Sequence, residues 1–328
     1  MSEDNKQNHS TYLKQFSKFG LLSTNHAISP TIVLIGLLLT GLYPLVSHAN
    51  PTSLLEYTPY FMWIILAESW NLSGGYASLL NLGLVGFFVL GAFVTGFEMS
   101  MGFTLFPALI LAGVVGAILG FTLIPTLRLR SDYFAIGTLV VPFMLKPVVE
   151  VVFPRSTFST PPSEILNPVQ LYYLGLTLAT ISIFGIYLMM QSRIGIALRA
   201  IGDQELASSS LGINTLLYKT IALALSGFLA AVAGGYFIQS ISINSTYFEN
   251  LQYSLFPIFM VIIGGIGTFE GPIAGAVLFS VISYALNNSF PGTSYDILLF
   301  SIVIMFVAVV LPKGIVPSII KGFRKIGG

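Results

Sequence analysis

The sequence contains no cysteine, and that one absence removes disulfide bridges, thiolate metal ligands and thiol nucleophiles together. Histidine is scarce as well. His9, His26 and His48 are the only three, and no pair of them has metal-ligand spacing, so neither a histidine-based metal site nor a Ser/His/Asp set can be assembled. Charge is the third shortage: Asp, Glu, Lys and Arg make up 8% of the 328 residues, against about 25% in an ordinary soluble domain. The formal net charge is +1 and the only basic cluster is Lys321, Arg324 and Lys325, so nucleic acid is not an expected partner. No Gly-(x)4-Gly-Lys-[Ser/Thr] phosphate loop occurs. The chain is therefore not expected to hydrolyse ATP itself, to act as an enzyme or to need a cofactor.

What is abundant is apolar. Hydrophobic residues make up 55% of the chain, and the mean hydropathy is +0.86. The 32 glycines and 17 prolines lie largely inside apolar stretches, which is tolerated where neighbouring helices in lipid re-satisfy broken backbone bonds. These runs are continuous instead of alternating, which favours helices over a barrel. The expected fold is all-α, a polytopic transmembrane bundle. Its first apolar run, Ala27 to about Ser47, exceeds the roughly 7–15 residues of a signal-peptide core and predicts an uncleaved span.

A crossing helix needs about 20 mostly apolar residues. Cutting at charge and turn clusters gives ten candidate spans, approximately 27–48, 54–72, 76–98, 103–127, 133–153, 169–191, 218–240, 253–267, 272–290 and 296–312. The eighth is short and ends in Gly264-Gly265-Ile266-Gly267; a broken or re-entrant helix there would lower the count to eight or nine. Lysine and arginine test this division, because they accumulate in cytoplasmic loops. With the amino terminus inside, twelve of the fourteen fall on the cytoplasmic side, Arg128, Arg130, Arg193, Arg199 and Lys219 among them. Arg155 alone falls outside, and Lys146 lies within the fifth run. Both termini are then cytoplasmic. The expected organisation is a cytoplasmic segment at 1–26, a membrane domain at 27–312 with a cytoplasmic loop at 192–218, and a basic cytoplasmic tail at 313–328.

Small residues recur every four positions at Ser226, Ala230 and Gly234, at Gly116 and Gly120, and at Gly271 and Gly275, a spacing that lets helices in lipid approach closely. Glu68, Asn71, Asn81, Lys146 and Glu150 are polar groups at membrane depth. Glu68 falls within about a turn of the cytoplasmic end of its span. The i, i+4 spacing of Lys146 and Glu150 predicts a pair on one helix face, with solute contact as the alternative. The loop at 192–218 has the pattern of an amphipathic helix. Ile194, Leu198, Ile201, Ala207 and Leu211 form its apolar side, Arg193, Arg199, Asp203 and Glu205 its polar side, and Gly212 its stop. On pattern alone, docking to an energy-supplying subunit and lying in the lipid interface remain equal readings.

Four segments carry a resemblance. Arg199-Ala-Ile-Gly-Asp-Gln-Glu-Leu-Ala-Ser-Ser-Ser-Leu-Gly-Ile-Asn214 is similar to the coupling loop of permease subunits in branched-chain amino acid ABC importers. Leu127-Arg-Leu-Arg-Ser-Asp-Tyr-Phe-Ala-Ile136, the glycine-rich Ile262 to Gly275 segment, and Asn71-Leu-Ser-Gly-Gly-Tyr-Ala77 continuing to Phe88 resemble other stretches of that family, in the same order. The resemblance implies coupling to an ATP-binding subunit through Arg199, Asp203, Glu205, Ala207, Leu211 and Gly212. Asn71, Tyr76, Asn81, Gly264, Gly265 and Gly267 become candidates for the translocation pathway. It further implies two ATP-binding subunits, a second permease subunit, an extracytoplasmic solute-binding protein, a cell-membrane location and a small-molecule substrate such as leucine, isoleucine or valine. Ser208 replaces a usual alanine, and Ser78, Leu79, Asn81 and Leu84 depart from the family's usual Gly, Gln, Ser and His. Urea, short amides and other small carboxylates therefore stay open as substrates, as does an ion-coupled secondary transporter.

Overall fold

A computed structural model describes residues 28–46, 54–129, 131–153, 157–160, 165–289, 302 and 314–318. The expected segment at 1–26, most of the tenth span and most of the basic tail lie outside the described residues, as do Arg130 and Arg155. Residues 1–46 form one unit and 47–328 another. In the first, α1 (Ile28–Val46) contains no charged residue, and its Thr40 hydroxyl donates back to the Gly36 and Leu37 carbonyls.

The second unit is helical, except that β1 (Thr157–Phe158) pairs antiparallel with β2 (Ile243–Asn244). Helix α2 (Thr58–Trp70) has a proline in its first turn and runs on as a π-helical turn over Asn71–Tyr76. Helices α3 (Leu84–Ser100), α4 (Leu105–Thr122), α5 (Ser131–Val152) and α6 (Pro168–Gln191) follow. Two short helices come next, α7 (Arg193–Asp203) and α8 (Glu205–Ser210), and then α9 (Thr215–Phe237), α10 (Gln252–Gly264) and α11 (Gly271–Ser289). Among the described residues, four helices are long and apolar enough to cross a membrane: α4, α5, α6 and α9. Stretches within α1, α3, α10 and α11 are apolar but shorter.

Helix α9 is the central post, and its small residues explain how. The Ser69 hydroxyl of α2 donates to the Ser226 carbonyl at 2.7 Å. A Cβ built on Gly234 would strike the Phe88 carbonyl of α3, and one on Gly116 of α4 would strike the Gly227 carbonyl. The third stripe behaves alike, with Gly275 of α11 against the Met260 carbonyl and Gly271 against Gly265. In lipid no hydrophobic force drives helices together, so such backbone-to-backbone approach supplies the packing. The opposite faces of the outer helices expose Phe106, Ile110, Met144, Ile181 and Leu188. That pattern suits an apolar solvent; in water so many exposed side chains would be an aggregation liability.

Two expectations need correction. Lys146 pairs with Glu249, at 2.6 Å, instead of with Glu150, which stays exposed. The turn at Ser245–Glu249 packs on α5 and offers a carboxylate from another element, where the within-helix partner would have had to bend back along its own face. Glu68 is also deeper than its place in the apolar run indicated. Its neighbour Ser69 meets Ser226 near the middle of α9, and the helical path continues to Tyr76. Glu68 is 1% exposed, and neither carboxylate oxygen has a hydrogen-bond partner among the described residues.

Gly234→Ala should destabilise the detergent-solubilised protein by about 1–3 kcal/mol through overpacking against Phe88. Gly185→Ala, where an added Cβ meets nothing within 4 Å, should leave the melting temperature unchanged or raise it slightly by helix propensity. Equal melting temperatures for the two variants would contradict the close-approach account.

Candidate functional site

Two backbone breaks define the site. After Tyr76 the chain leaves helical geometry until Leu84. Hydrogen bonds stitch this stretch to α2 and its π-helical turn, Trp70 Nε1 donating to the Asn81 carbonyl and Leu79 N–H to the Ser73 carbonyl, while within the stretch Gly83 N–H donates to Asn81 Oδ1. The second break separates α10 from α11. Gly265 has φ +135° and Gly267 φ +67°, conformations that side-chain-bearing residues rarely adopt. Thr268 closes this turn, its hydroxyl donating to the Gly265 carbonyl and accepting from Gly271 N–H.

Asn71 joins the two breaks. Its Nδ2 donates to the Thr268 carbonyl at 3.0 Å and its Oδ1 accepts from Gly267 N–H at 2.9 Å. Away from water an unpaired backbone group costs several kcal/mol, so one amide side chain satisfying a donor and an acceptor is what allows the glycine turn to exist there. Gly75 permits the approach, since a Cβ on it would meet Asn71 Oδ1 and Gly267 N. Of the six pathway candidates, Asn71, Gly264, Gly265 and Gly267 therefore gather at one junction. Tyr76 is buried, its carbonyl against Gly202 of α7, while Asn81 is buried further along the stitched coil. Ser78, at φ +52°, adds a bond from its hydroxyl to the Gly202 carbonyl. The loop at 192–218 is thus fastened directly to the first break.

That loop departs from the single amphipathic helix expected. Ser192 caps α7 by accepting from Ile194 N–H, and Leu198 and Ile201 are buried. Extended geometry at Gln204 (φ −159°, ψ 99°) then breaks the helix. The break turns α8 so that Leu206 is 80% and Leu211 83% exposed, with Ala207 also outside. Ala207 and Leu211 thus face away from the side that buries Leu198 and Ile201, because one continuous helical phase does not run through Gln204. Gly212 stops the helix as expected. It has φ +85°, its N–H donates to the Ser209 carbonyl, and Ile213 N–H reaches the Ser208 carbonyl, a Schellman closure. Ser208 is buried and its hydroxyl donates to the Gln204 carbonyl, which accommodates the group that a usual alanine lacks.

The polar residues of the loop divide. Arg199 donates to the Met190 carbonyl at 3.0 Å, closing the corner with α6, and Asp203 is exposed. Glu205 Oε1 pairs with Lys219 of α9 at 2.6 Å. Lys219, Thr268 and Ser226 were not among the sequence candidates. Lys219 carried a signal, as the one basic residue at the start of the α9 run, but distance along the chain says nothing about Thr268 meeting Asn71.

Comparison with known proteins places these features in context. The profile of the family described as branched-chain amino acid transport system / permease component matches residues 57–308. The high-affinity branched-chain amino acid transport system permease protein LivM of Salmonella typhimurium is 30% identical over 297 residues, covering 79% of this chain and 69% of that protein. LivM of Escherichia coli K12 is 27% identical over 291 residues, covering 78% and 68%. The ribose import permease protein RbsC of Escherichia coli K12 is 27% identical over 263 residues, covering 75% and 78%. No solved structure matches the chain.

Asn71→Leu removes a donor and an acceptor together and should cost roughly 1–3 kcal/mol, two half-buried backbone groups being left unpaired. Thermal unfolding in detergent reads this. A loss below about 0.5 kcal/mol, the size of an ordinary surface substitution, would mean that the junction does not depend on Asn71.

Proposed function

Because this chain belongs to the branched-chain amino acid transport system / permease component family, we propose that it forms the membrane path for leucine, isoleucine and valine in an ABC importer. It is a multi-pass membrane protein and a permease component. The proposed assembly has ten spans with both termini cytoplasmic, two ATP-binding subunits below, a second permease subunit alongside and a solute-binding protein on the far side.

The observation that carries the reading is α8. A six-residue helix exposes Leu206, Ala207 and Leu211, is closed by Gly212 and is tied to α9 by the Glu205–Lys219 ion pair. Its apolar face fits a groove on a partner protein. The same loop is bonded at Gly202 to Ser78 and so, through the π-helical turn, to the Asn71 junction. When ATP binding draws the two cytoplasmic subunits together, displacement of α8 passes along two routes, through Glu205 to the central post and through Gly202 to the broken helices. Alternating access driven by rigid-body motion is the resulting mechanism. Arg199 holds the loop's corner through the Met190 carbonyl, and Asp203 stands exposed at its rim. Similarity to a ribose permease supports a second substrate reading, a different small polar solute moved by the same machinery.

The test is reconstitution of the complete complex in proteoliposomes, scoring binding-protein-stimulated ATPase and leucine uptake. Glu205→Ala and Gly212→Trp should lower uptake at least tenfold while the complex still assembles, the second by placing a bulky side chain at a left-handed backbone position. Uptake by this chain alone, driven by an ion gradient and indifferent to both substitutions, would contradict the importer reading and direct attention to the unpartnered Glu68.

A further inference from the structure

Beside the loop lies a cavity of about 530 Å³, walled by the α4–α5 turn, the coil after Tyr76, the α7–α8 break and the first turn of α9. Its size falls in the range of small-ligand sites, about 300–1,000 Å³. Its lining is chemically divided. Arg128 belongs to neither of the two ion pairs found among the described residues. Opposite charges come from Glu205 and Lys219, and Leu127, Phe134 and Leu216 supply apolar wall.

We propose that this cavity binds a small apolar amino acid from the side of the loop and, while occupied, holds α8 and α9 against the α4–α5 turn so that transport stalls. The inference rests on the substrate reading above and adds regulation by the delivered product. A planar guanidinium without an acid partner is matched by a carboxylate, which it grips through two parallel hydrogen bonds. Glu205 meets Lys219 through Oε1; its second carboxylate oxygen is suited to an ammonium group. A zwitterion satisfies both, and an aliphatic side chain covers the leucine and phenylalanine wall. Phosphate would suit Arg128 but would bring a second anion to Glu205. A bound amino acid bridges α8 and α9, which the proposed coupling displaces together through Glu205 and Lys219, to the α4–α5 turn, which lies on neither coupling route. It therefore favours the state in which they are together, by its difference in affinity between states. Ser78 lines the same cavity with a left-handed backbone pinned to Gly202, a strained conformation of the kind that concentrates at ligand clamps.

The experiment uses the whole complex in vesicles with the ATP-binding subunits facing out, and binding protein plus leucine sealed inside. ATP hydrolysis is followed while L-leucine is added outside. The expected result is an at least several-fold fall in hydrolysis with wild-type permease. Leucinol, which lacks the carboxylate, and inorganic phosphate should have no such effect. Arg128→Gln should raise the half-inhibiting leucine concentration at least tenfold without changing the uninhibited rate, which also reports that the variant folds and assembles. Arg128→Lys should fall between the two. Hydrolysis indifferent to outside leucine, or Arg128→Gln inhibited at the wild-type concentration, overturns the inference while leaving the importer reading intact. Inhibition by phosphate, or only on adding anionic lipid, assigns the cavity to a phosphate group and also overturns it. If sealed leucine and binding protein never stimulate hydrolysis, the substrate reading fails first and this inference falls with it.

Discussion

A backbone surrounded by lipid must satisfy its own hydrogen-bonding groups, and this protein breaks two helices without leaving that rule. The device is one amide side chain. Asn71 gives a hydrogen bond to the Thr268 carbonyl and takes one from Gly267 N–H, so the glycine turn between α10 and α11 is completed by a residue from α2. Each break is therefore a condition for the other. Remove the amide and two half-buried backbone groups lose the partners that hold the turn in place.

The rest of the architecture keeps these breaks in register. Glycine and serine stripes let α9 touch α2, α3 and α4 at backbone distance, so movement of the central post shifts three neighbours without slack. The breaks and the loop between α6 and α9 lie at one end of the unit, joined at Gly202 and Ser78. At that end the Glu205–Lys219 ion pair connects the exposed helix to the post. A permease component needs a rigid bundle with a handle attached to its least regular backbone, and these contacts supply one.

Much of this was legible in the sequence, for physical reasons. Long apolar runs can only be membrane helices, and small residues four apart can only mark close packing, so the helices and the stripes at Ser226, Gly116 and Gly271 were readable. Gly212 was readable as a stop because a left-handed residue ends a helix so often. Three-dimensional partners were not. Lys146 has an acid four residues away and chooses one from another element, Glu249, because local spacing does not register what a distant turn brings near. The loop was read as one helix because its apolar residues keep helical spacing through Gln204; the reversal there is a backbone event that Gly202, a lone glycine two residues earlier, does not announce by itself. Asn71 was identified as a polar residue at membrane depth, but the meeting with Thr268 across almost two hundred residues belongs to the tertiary structure alone.

The central claim is that α8 is the surface on which the energy-supplying subunit sits, and the sequence makes a direct test simple. With no native cysteine, Leu206→Cys introduces a single thiol at a position 80% exposed in this chain. Its rate of labelling by a membrane-impermeant maleimide would be compared in the detergent-solubilised permease with and without the ATP-binding subunits, with Met101→Cys, 61% exposed in the turn between α3 and α4, as the reference. The account predicts that the ATP-binding subunits slow labelling at 206 by at least tenfold and leave 101 unchanged. Equal labelling at 206 with and without those subunits would contradict it.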